Sequence, residues 1–202
     1  MKKLKVLNLY AGIGGNRKLW ENVEVTAVEN NPEIAKIYQD FFPEDKVIVA
    51  DAHQYLLDHY KEFDFIWTSP PCPTHSKIRE AGAKNGQYPV KYADMRLYQE
   101  IILLDRFFKG KWVVENVEPY YIPLIKGKVV GRHLFWGNFV INKIKVECDS
   151  INKGTMKLFR KKADLSKYNL DNERKVLRNC VNPKIGLHIF NCAFKEKQTR
   201  LE

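Results

Sequence analysis

Cys72 and Glu115 are the residues of this chain whose types and positions suggest covalent chemistry. Residues 65–68, written FIWT, are β-branched or aromatic and predict a buried strand. Pro70 and Pro71 end that strand, because neither can donate a hydrogen bond to a sheet ladder. The thiol of Cys72 is therefore expected at the carboxyl end of a strand, where open parallel sheets bind ligands. A cysteine in a turn can also be a small buried hydrophobe, so its position alone does not settle its role.

Glu115 stands near the end of a further predicted strand, residues 112–117, written WVVENV. It follows Cys72 by 43 positions, as expected for neighbouring parallel strands joined by a loop and a helix. A thiolate facing a base together with a carboxylic acid is the pair that makes C5 of cytosine reactive. The thiolate adds to C6 while a proton is supplied at N3, and the resulting enamine is nucleophilic at C5.

A glycine turn follows the first predicted strand, residues 5–10, and contains Gly12, Gly14 and Gly15. These glycines would let the backbone approach a ligand at the start of the helix expected next, although such turns also serve tight packing alone. Glu29 ends the second predicted strand, where a carboxylate can accept hydrogen bonds from ribose hydroxyls. Together they indicate a nucleoside cofactor.

Asp51 ends the third predicted strand, residues 47–51. Its carboxylate could bond an adenine amino group, or it could cap the helix expected to begin near His53, and the sequence leaves both interpretations open.

Strands and helices alternate along most of the chain, which predicts an α/β fold with a doubly wound, mostly parallel sheet and helices on both faces. Helical spacing of apolar residues occurs in residues 94–109, whereas residues 73–93 predict a long polar loop. From residue 128 the pattern favours one or two antiparallel strands, and a helical pattern returns in residues 174–194.

Basic residues outnumber acidic ones by 34 to 24, which gives a formal net charge of +10 and favours a polyanionic partner. Residues 152–178 contain nine of the basic residues and three acidic ones, so the polyanion is expected to lie against the C-terminal third. The alternative is that these side chains form an ordinary solvated surface.

Several protein classes are disfavoured by the composition. No apolar run approaches the roughly 18 residues that a membrane span needs, and the first residues lack the pattern of a signal peptide. The four cysteines show neither the paired spacing of a zinc site nor the density of a disulfide scaffold. We therefore expect a cytoplasmic protein with reduced thiols and no bound metal.

Seven segments, in order, resemble the motif series of the cytosine-C5 DNA methyltransferases: LNLYAGIGG, VTAVENNP, VADAH, SPPCPTHS, VVENV, GRHLFWGNF and RNCVNP. The resemblance covers about residues 5–140 and 176–194, and it fits a short member of phage or bacterial type. It implies S-adenosylmethionine as cofactor. The residues it implies at the cofactor are Tyr10, Ala11, Gly12, Ile13, Gly14, Glu29, Asn30, Asp51, Ala52, Pro71 and Asn179.

The resemblance also implies that Cys72 is the nucleophile and that Glu115 bonds N3. Arg132 is expected to orient the base, although the family usually has two arginines separated by one residue where this chain has Arg132 followed by His133. We expect nearby positive charge to favour the Cys72 thiolate. Burial is expected to keep Glu115 protonated or to let it share a proton with N3.

A cytosine within a duplex hides C6, so this chemistry on double-stranded DNA requires base flipping. The side chains expected to contact the DNA are Ser76, Lys77, Arg79, Lys157, Arg160, Lys161 and Lys162. His75 could either contact a phosphate or pack in the interior.

Three parts are expected: a catalytic domain in residues 1–140, a small basic target-recognition lobe in 141–175 and a C-terminal helix in 176–202 that packs back on the catalytic domain. So small a lobe offers few side chains to the major groove, which favours a short or relaxed target sequence. Methylation of RNA, amino-group methylation without a nucleophilic thiol, and a role as one subunit of a split enzyme or a self-associating chain remain alternatives.

Overall fold

The computed structural model describes residues 3–144, 165, 167–168, 170 and 173–194. In these residues seven strands form one sheet with the order β3-β2-β1-β4-β5-β7-β6. Strands β1 to β5 are parallel, and β7 runs antiparallel to both of its neighbours. The strands are β1 Leu4–Leu9, β2 Val23–Glu29, β3 Lys46–Val49, β4 Phe65–Thr68, β5 Lys111–Val117, β6 Lys128–Val130 and β7 His133–Gly137.

The described helices lie between and after these strands. They are α1 Pro32–Phe41, α2 Ala52–His59, α3 Lys77–Lys84, α4 Arg96–Phe107, α5 Glu173–Arg178 and α6 Pro183–Phe194. The predicted α/β fold with a mostly parallel sheet is therefore confirmed, as are the two antiparallel strands after residue 128.

The sheet is buried because successive side chains of its central strands point to opposite faces and both faces are covered. On one face Ile66 packs with apolar residues of α2 and α4, including Leu56 and Leu104. On the other face Phe65 and Trp67 pack against α6. This double cover fixes the carboxyl ends of β1, β4 and β5 at a common edge.

Two local predictions are wrong. The glycine turn does not open a helix but leads to a single 3₁₀ turn, Arg17–Leu19. Asn16 and its neighbouring glycines are poor helix formers, and Asn16 exchanges side-chain hydrogen bonds with Asn8 of β1. The expected polar loop contains α3, whose sequence KIREAGAK is rich in good helix formers and includes the ion pair between Glu80 and Lys84.

The helix α6 packs directly on the turn that follows β1. The indole Nε1 of Trp20 donates to the Gly186 carbonyl at 3.2 Å. A Cβ atom added at Gly186 would lie 2.3 Å from the backbone oxygen of Asn16. The absence of a side chain at this position is therefore what allows the helix and the turn to meet. The proposed division into three parts stays a prediction, since most of residues 141–175 lie outside the described residues.

We expect Gly186→Ala to destabilise the protein by about 2 kcal/mol, because the added methyl group meets backbone that cannot move aside. The loss should exceed the roughly 1 kcal/mol that alanine gains over glycine in a helix. Urea unfolding followed by circular dichroism measures the change. Asn191→Ala, at an exposed position of α6, is the matched control and should stay within about 0.5 kcal/mol of the parent.

Candidate active site

A cleft with about 560 Å³ of free volume opens at the carboxyl edge of the sheet. It is lined by the ends of β1, β2, β4 and β5, by the residues that precede and begin β7, and by residues of and after α5. Ten of the residues predicted from the sequence to be in the active or cofactor site line this cleft: Tyr10, Ala11, Gly12, Glu29, Asn30, Pro71, Cys72, Glu115, Arg132 and Asn179.

The turn that carries Cys72 is held by backbone and amide hydrogen bonds. The Cys72 carbonyl accepts from the backbone N–H groups of His75 and Ser76 at 3.0 and 3.1 Å. The Asn116 side chain, from β5, donates to the Pro70 carbonyl at 2.9 Å. These bonds fix the thiol at the cleft, beside the strand that bears Glu115.

The ionisation of Cys72 differs from the prediction. Burial raises the pKa of the Cys72 thiol, and the nearby Glu115 carboxylate raises it further. The guanidinium groups of Arg132 and Arg178 act in the opposite direction but do not outweigh these effects. The expectation that positive charge favours the thiolate is therefore wrong for the free protein, in which the sulfur keeps its proton at neutral pH.

Glu115 is bonded to His133, the first residue of β7. Arg132 Nε donates to His133 Nε2 at 3.1 Å. A guanidinium has no acceptor, so His133 Nε2 must accept and the proton of a neutral His133 lies on Nδ1. His133 therefore donates to the Glu115 carboxylate.

This contact reverses the effect of burial on Glu115. Burial by itself would raise the pKa of the carboxyl group, but His133, the Ser69 hydroxyl and the charge of Arg132 outweigh it, and the pKa of Glu115 lies below its ordinary value. The expectation that Glu115 is kept protonated is wrong for the free protein, and the alternative that it shares a proton with N3 stays a prediction. The sequence prediction assigned no partner to Glu115, and that partner is His133. Its position directly after Arg132 is the signal in the sequence that could have identified it.

Arg132 is tied to the C-terminal part of the chain. Its guanidinium donates to the Arg178 carbonyl at 2.7 Å, in addition to its bond to His133. It lines the cleft, and its predicted contact with a base stays a prediction.

Glu29 is fixed at the opposite end of the cleft. Its two carboxylate oxygens accept from the backbone N–H groups of Gly12 and Asn31, each at 3.0 Å. Gly12 has a φ of +54°, and a Cβ added there would meet no described atom within 4 Å. The backbone at Gly12 therefore borders open space, as a turn that receives a ligand must.

Tyr10 is held by Glu100, a buried residue of α4 that the sequence analysis missed. The Tyr10 hydroxyl donates to Glu100 Oε1 at 2.6 Å, and Thr68 donates to the other oxygen at 2.5 Å. His53 Nδ1 lies 2.9 Å from Oε1. One carboxylate thus joins the ends of β1 and β4 to α2, and no sequence motif marks it.

Ile13 and Gly14 were predicted near the cofactor but do not line the cleft. The Ile13 side chain packs in an apolar cluster with Ile37. A Cβ at Gly14 would lie 2.2 Å from the ring of Phe42, so this glycine serves packing.

Asp51 and Ala52 also lie outside the cleft lining. Asp51 caps α2, because its carboxylate accepts a hydrogen bond from the Gln54 N–H at 3.0 Å. Its Oδ2 atom lies 3.9 Å from a guanidinium nitrogen of Arg96. The capping interpretation of Asp51 is the one that the structure supports. Ala52 is buried at the start of α2.

The predicted nucleic-acid contacts fall into two groups. Ser76, Lys77 and Arg79 follow the Cys72 turn at the start of α3, where Lys77 pairs with Glu118 at 2.6 Å. The other four, Lys157, Arg160, Lys161 and Lys162, lie outside the described residues.

His75 packs in the interior. Its Nδ1 lies 2.6 Å from the Tyr121 hydroxyl, and its Nε2 has no hydrogen-bond partner among the described residues. Burial lowers the pKa of His75 and keeps the ring neutral. The alternative that it contacts a phosphate is wrong for this structure.

The described residues lack the features of a membrane span and of a metal centre. None of their helices has the length and apolar character needed to cross a bilayer. No group of three or more potential metal ligands occurs among them. The described cysteines, Cys72, Cys180 and Cys192, are free thiols.

A family model described as "C-5 cytosine-specific DNA methylase" matches residues 4–119, which is more than half of the chain. The chain belongs to this family. The cofactor of the family is S-adenosylmethionine.

This chain matches only part of the length of similar proteins. The human tRNA (cytosine(38)-C(5))-methyltransferase is 30% identical over 89 residues, which is 41% of this chain and 23% of that protein. A DNMT2 of Spodoptera frugiperda is 28% identical, with a TM-score of 0.40, over 57% of this chain and 36% of that one. An Agrobacterium tumefaciens SAM-dependent methyltransferase is 17% identical, with a TM-score of 0.39, over 59% and 40%. The chain thus matches about a quarter of the human relative's length.

The cleft fits the cofactor of this methylase family. The open space at Gly12 lets the backbone approach a ligand, and the Glu29 carboxylate, already oriented by two N–H groups, retains lone pairs for ribose hydroxyls. Asn30 and Asn179 line the same cleft. Their individual contacts with the cofactor stay predictions.

The charge state of the site can be tested by alkylating Cys72 with iodoacetamide across a pH range. Because only the thiolate reacts, the midpoint of the rate should lie above the roughly 8.5 of a free cysteine. Glu115→Gln removes the carboxylate that raises the pKa of Cys72, so the pH midpoint of alkylation should be lower in this variant. Each unit by which the pKa of Cys72 falls would increase the alkylation rate at pH 7 about tenfold. Mass spectrometry of the Cys72 peptide measures the rate; an unchanged midpoint would contradict the assignment.

Proposed function

We propose that this chain is a DNA (cytosine-5-)-methyltransferase that forms a covalent bond between Cys72 and C6 of a flipped cytosine. The proposal rests on one observation: Cys72 and Glu115 line a single cleft that continues to the Gly12 and Glu29 end, which fits a nucleoside.

The proton that activates the base can come from the nucleophile itself. In the free protein the sulfur of Cys72 holds a proton and the Glu115 carboxylate is ionised, as their pKa shifts indicate. We propose that Glu115 takes the Cys72 proton and delivers it to N3 while a sulfur electron pair forms the bond to C6. The C5–C6 π pair becomes available at C5, and the charge of the whole site is unchanged.

S-adenosylmethionine, when bound, supplies the methyl group to C5. A water or base then removes the C5 proton, the electron pair reforms the C5–C6 double bond, and Cys72 leaves as the thiolate. Glu115, with His133 on its far side, returns the N3 proton to the sulfur. His133 and Arg132 hold the carboxylate in place throughout, because a buried carboxylate needs a hydrogen-bond donor.

DNA is the proposed substrate because the matching family is one of DNA methylases and because the chain carries a net charge of +10. Phosphate contacts from Lys157, Arg160, Lys161 and Lys162 belong to this proposal, as does a short or relaxed target sequence. Flipping the cytosine costs a few kcal/mol, which contacts to the backbone must offset.

RNA is the second candidate substrate, favoured by the 30% identity to a tRNA methyltransferase over 89 residues. Transfer of a labelled methyl group from S-adenosylmethionine to duplex DNA or to tRNA, by the purified chain alone, separates the two. Labelling of tRNA alone would overturn the DNA proposal. Labelling of neither would favour a subunit that needs a partner.

Cys72→Ser should reduce methyl transfer by at least about a hundredfold, because the serine hydroxyl is a far weaker nucleophile at neutral pH. An oligonucleotide containing 5-fluorocytosine should form a stable adduct with the parent chain and none with the variant, as measured by denaturing electrophoresis. Full activity of Cys72→Ser would instead point to amino-group methylation.

His133→Ala should lower kcat at least about tenfold and move the acidic limb of the kcat/KM profile to higher pH. His133 opposes the rise in the pKa of Glu115 that burial causes, so this pKa is higher in the variant. A higher pH is then needed before Glu115 is ionised and can accept the Cys72 proton. His59→Ala, on α2 and outside the cleft lining, is the matched control. Equal pH profiles for His133→Ala and the parent would refute this role.

A further inference from the structure

A second cleft, with about 460 Å³ of free volume, adjoins the active-site cleft. Pro73 lines both clefts and directly follows Cys72. The two clefts therefore share a wall, and a strand that places a cytosine at Cys72 passes next to the second cleft.

Tyr120 supplies an aromatic wall of the second cleft and is 41% exposed. Its backbone N–H donates to the His75 carbonyl at 3.1 Å, and Ser76 forms a β-bridge with Pro119. The backbone that carries this ring is thereby anchored to the same turn that fixes Cys72. Exposed aromatic rings next to a nucleic-acid path act as stacking surfaces for bases.

The charge of the second cleft suits a phosphate. Arg79, Lys84 and Lys91 line it together with a single acidic residue, Glu80, which pairs with Lys84. The guanidinium of Arg79 is 4.0 Å from the ring centre of Tyr88. The lining therefore has a surplus of positive charge beside an aromatic and apolar wall, the combination that binds single-stranded nucleotides.

We infer that the second cleft binds the nucleotide next to the target cytosine. The base of this nucleotide stacks on the ring of Tyr120, and its phosphate lies near Arg79 and Lys91. This inference deepens the proposed function and rests on it for the position of the cytosine. A base in this cleft has left its stack, so the strand is unpaired at two successive positions. The site favours substrates that are single-stranded or easily opened around the cytosine.

The test measures the binding of short fluorescein-labelled single DNA strands that contain one cytosine, with an abasic site placed on its 5′ side, its 3′ side or neither. For the parent chain, the abasic site on one of the two sides should weaken Kd about tenfold, since the stacked base is lost. Tyr120→Ala should weaken binding of the intact strand by a similar factor and show no further loss with the abasic strand.

Two variants keep the result interpretable. Tyr120→Phe retains the ring and should behave as the parent. Tyr92→Ala, at a 98% exposed tyrosine that does not line the cleft, should also retain the parent's response to the abasic site. The inference is overturned if the parent binds all three strands equally, or if Tyr120→Ala keeps the full tenfold response.

The binding readout separates this inference from the proposed function. A chain that binds the strands with the expected response but transfers no methyl group to DNA or RNA would refute the proposed activity and support the nucleotide site. A chain that methylates DNA with no difference between intact and abasic strands would support the activity and refute the site.

Discussion

The hydrogen bond between His133 and Glu115 is the contact on which the active site depends. An ionised carboxylate buried without a partner costs several kcal/mol, so β5 can end in a buried glutamate only if another element brings a donor to it. The antiparallel strand β7 does this through its register, which sets His133 opposite Val117 and Phe135 opposite Glu115. The reversed direction of β7 is therefore part of the chemistry as well as of the fold.

A second buried carboxylate does similar structural work at the other side of Cys72. Glu100 receives the hydroxyls of Tyr10 and Thr68, so the ends of β1 and β4 are fixed to one helix. Burial, then the charge and hydrogen bond of Glu100, raise the pKa of Tyr10 well above its ordinary value, which keeps its hydroxyl a donor. The two acids hold strand ends whose side chains come from distant parts of the chain.

The environment of Cys72 in the free protein favours the protonated thiol. Its burial and the nearby Glu115 carboxylate keep the proton on sulfur, although Arg132 and Arg178 lie close enough to oppose them. In the proposed mechanism the cytosine itself makes the thiol reactive, because its N3 receives the proton that leaves the sulfur. Reactivity would then arise when a cytosine occupies the cleft, and the sulfur would be protected from other electrophiles before that.

The sequence by itself determined the order of the strands and the placement of Cys72, Glu29 and Glu115 at strand ends. These features follow from local patterns: β-branched runs form strands, prolines end them, and parallel strands share one edge. The family motifs carried the same information. Residue types at short spacing were sufficient for this level of description.

Only the tertiary structure decided the ionisation of the site and the uses of individual residues. The proton of Cys72 and the charge of Glu115 depend on burial and on His133, which is 18 positions from Glu115 in the chain. Asp51 became a helix cap and Gly14 a packing position for the same reason. Electrostatic and packing energies depend on distances in space between elements that fold together, and a linear pattern does not contain those distances.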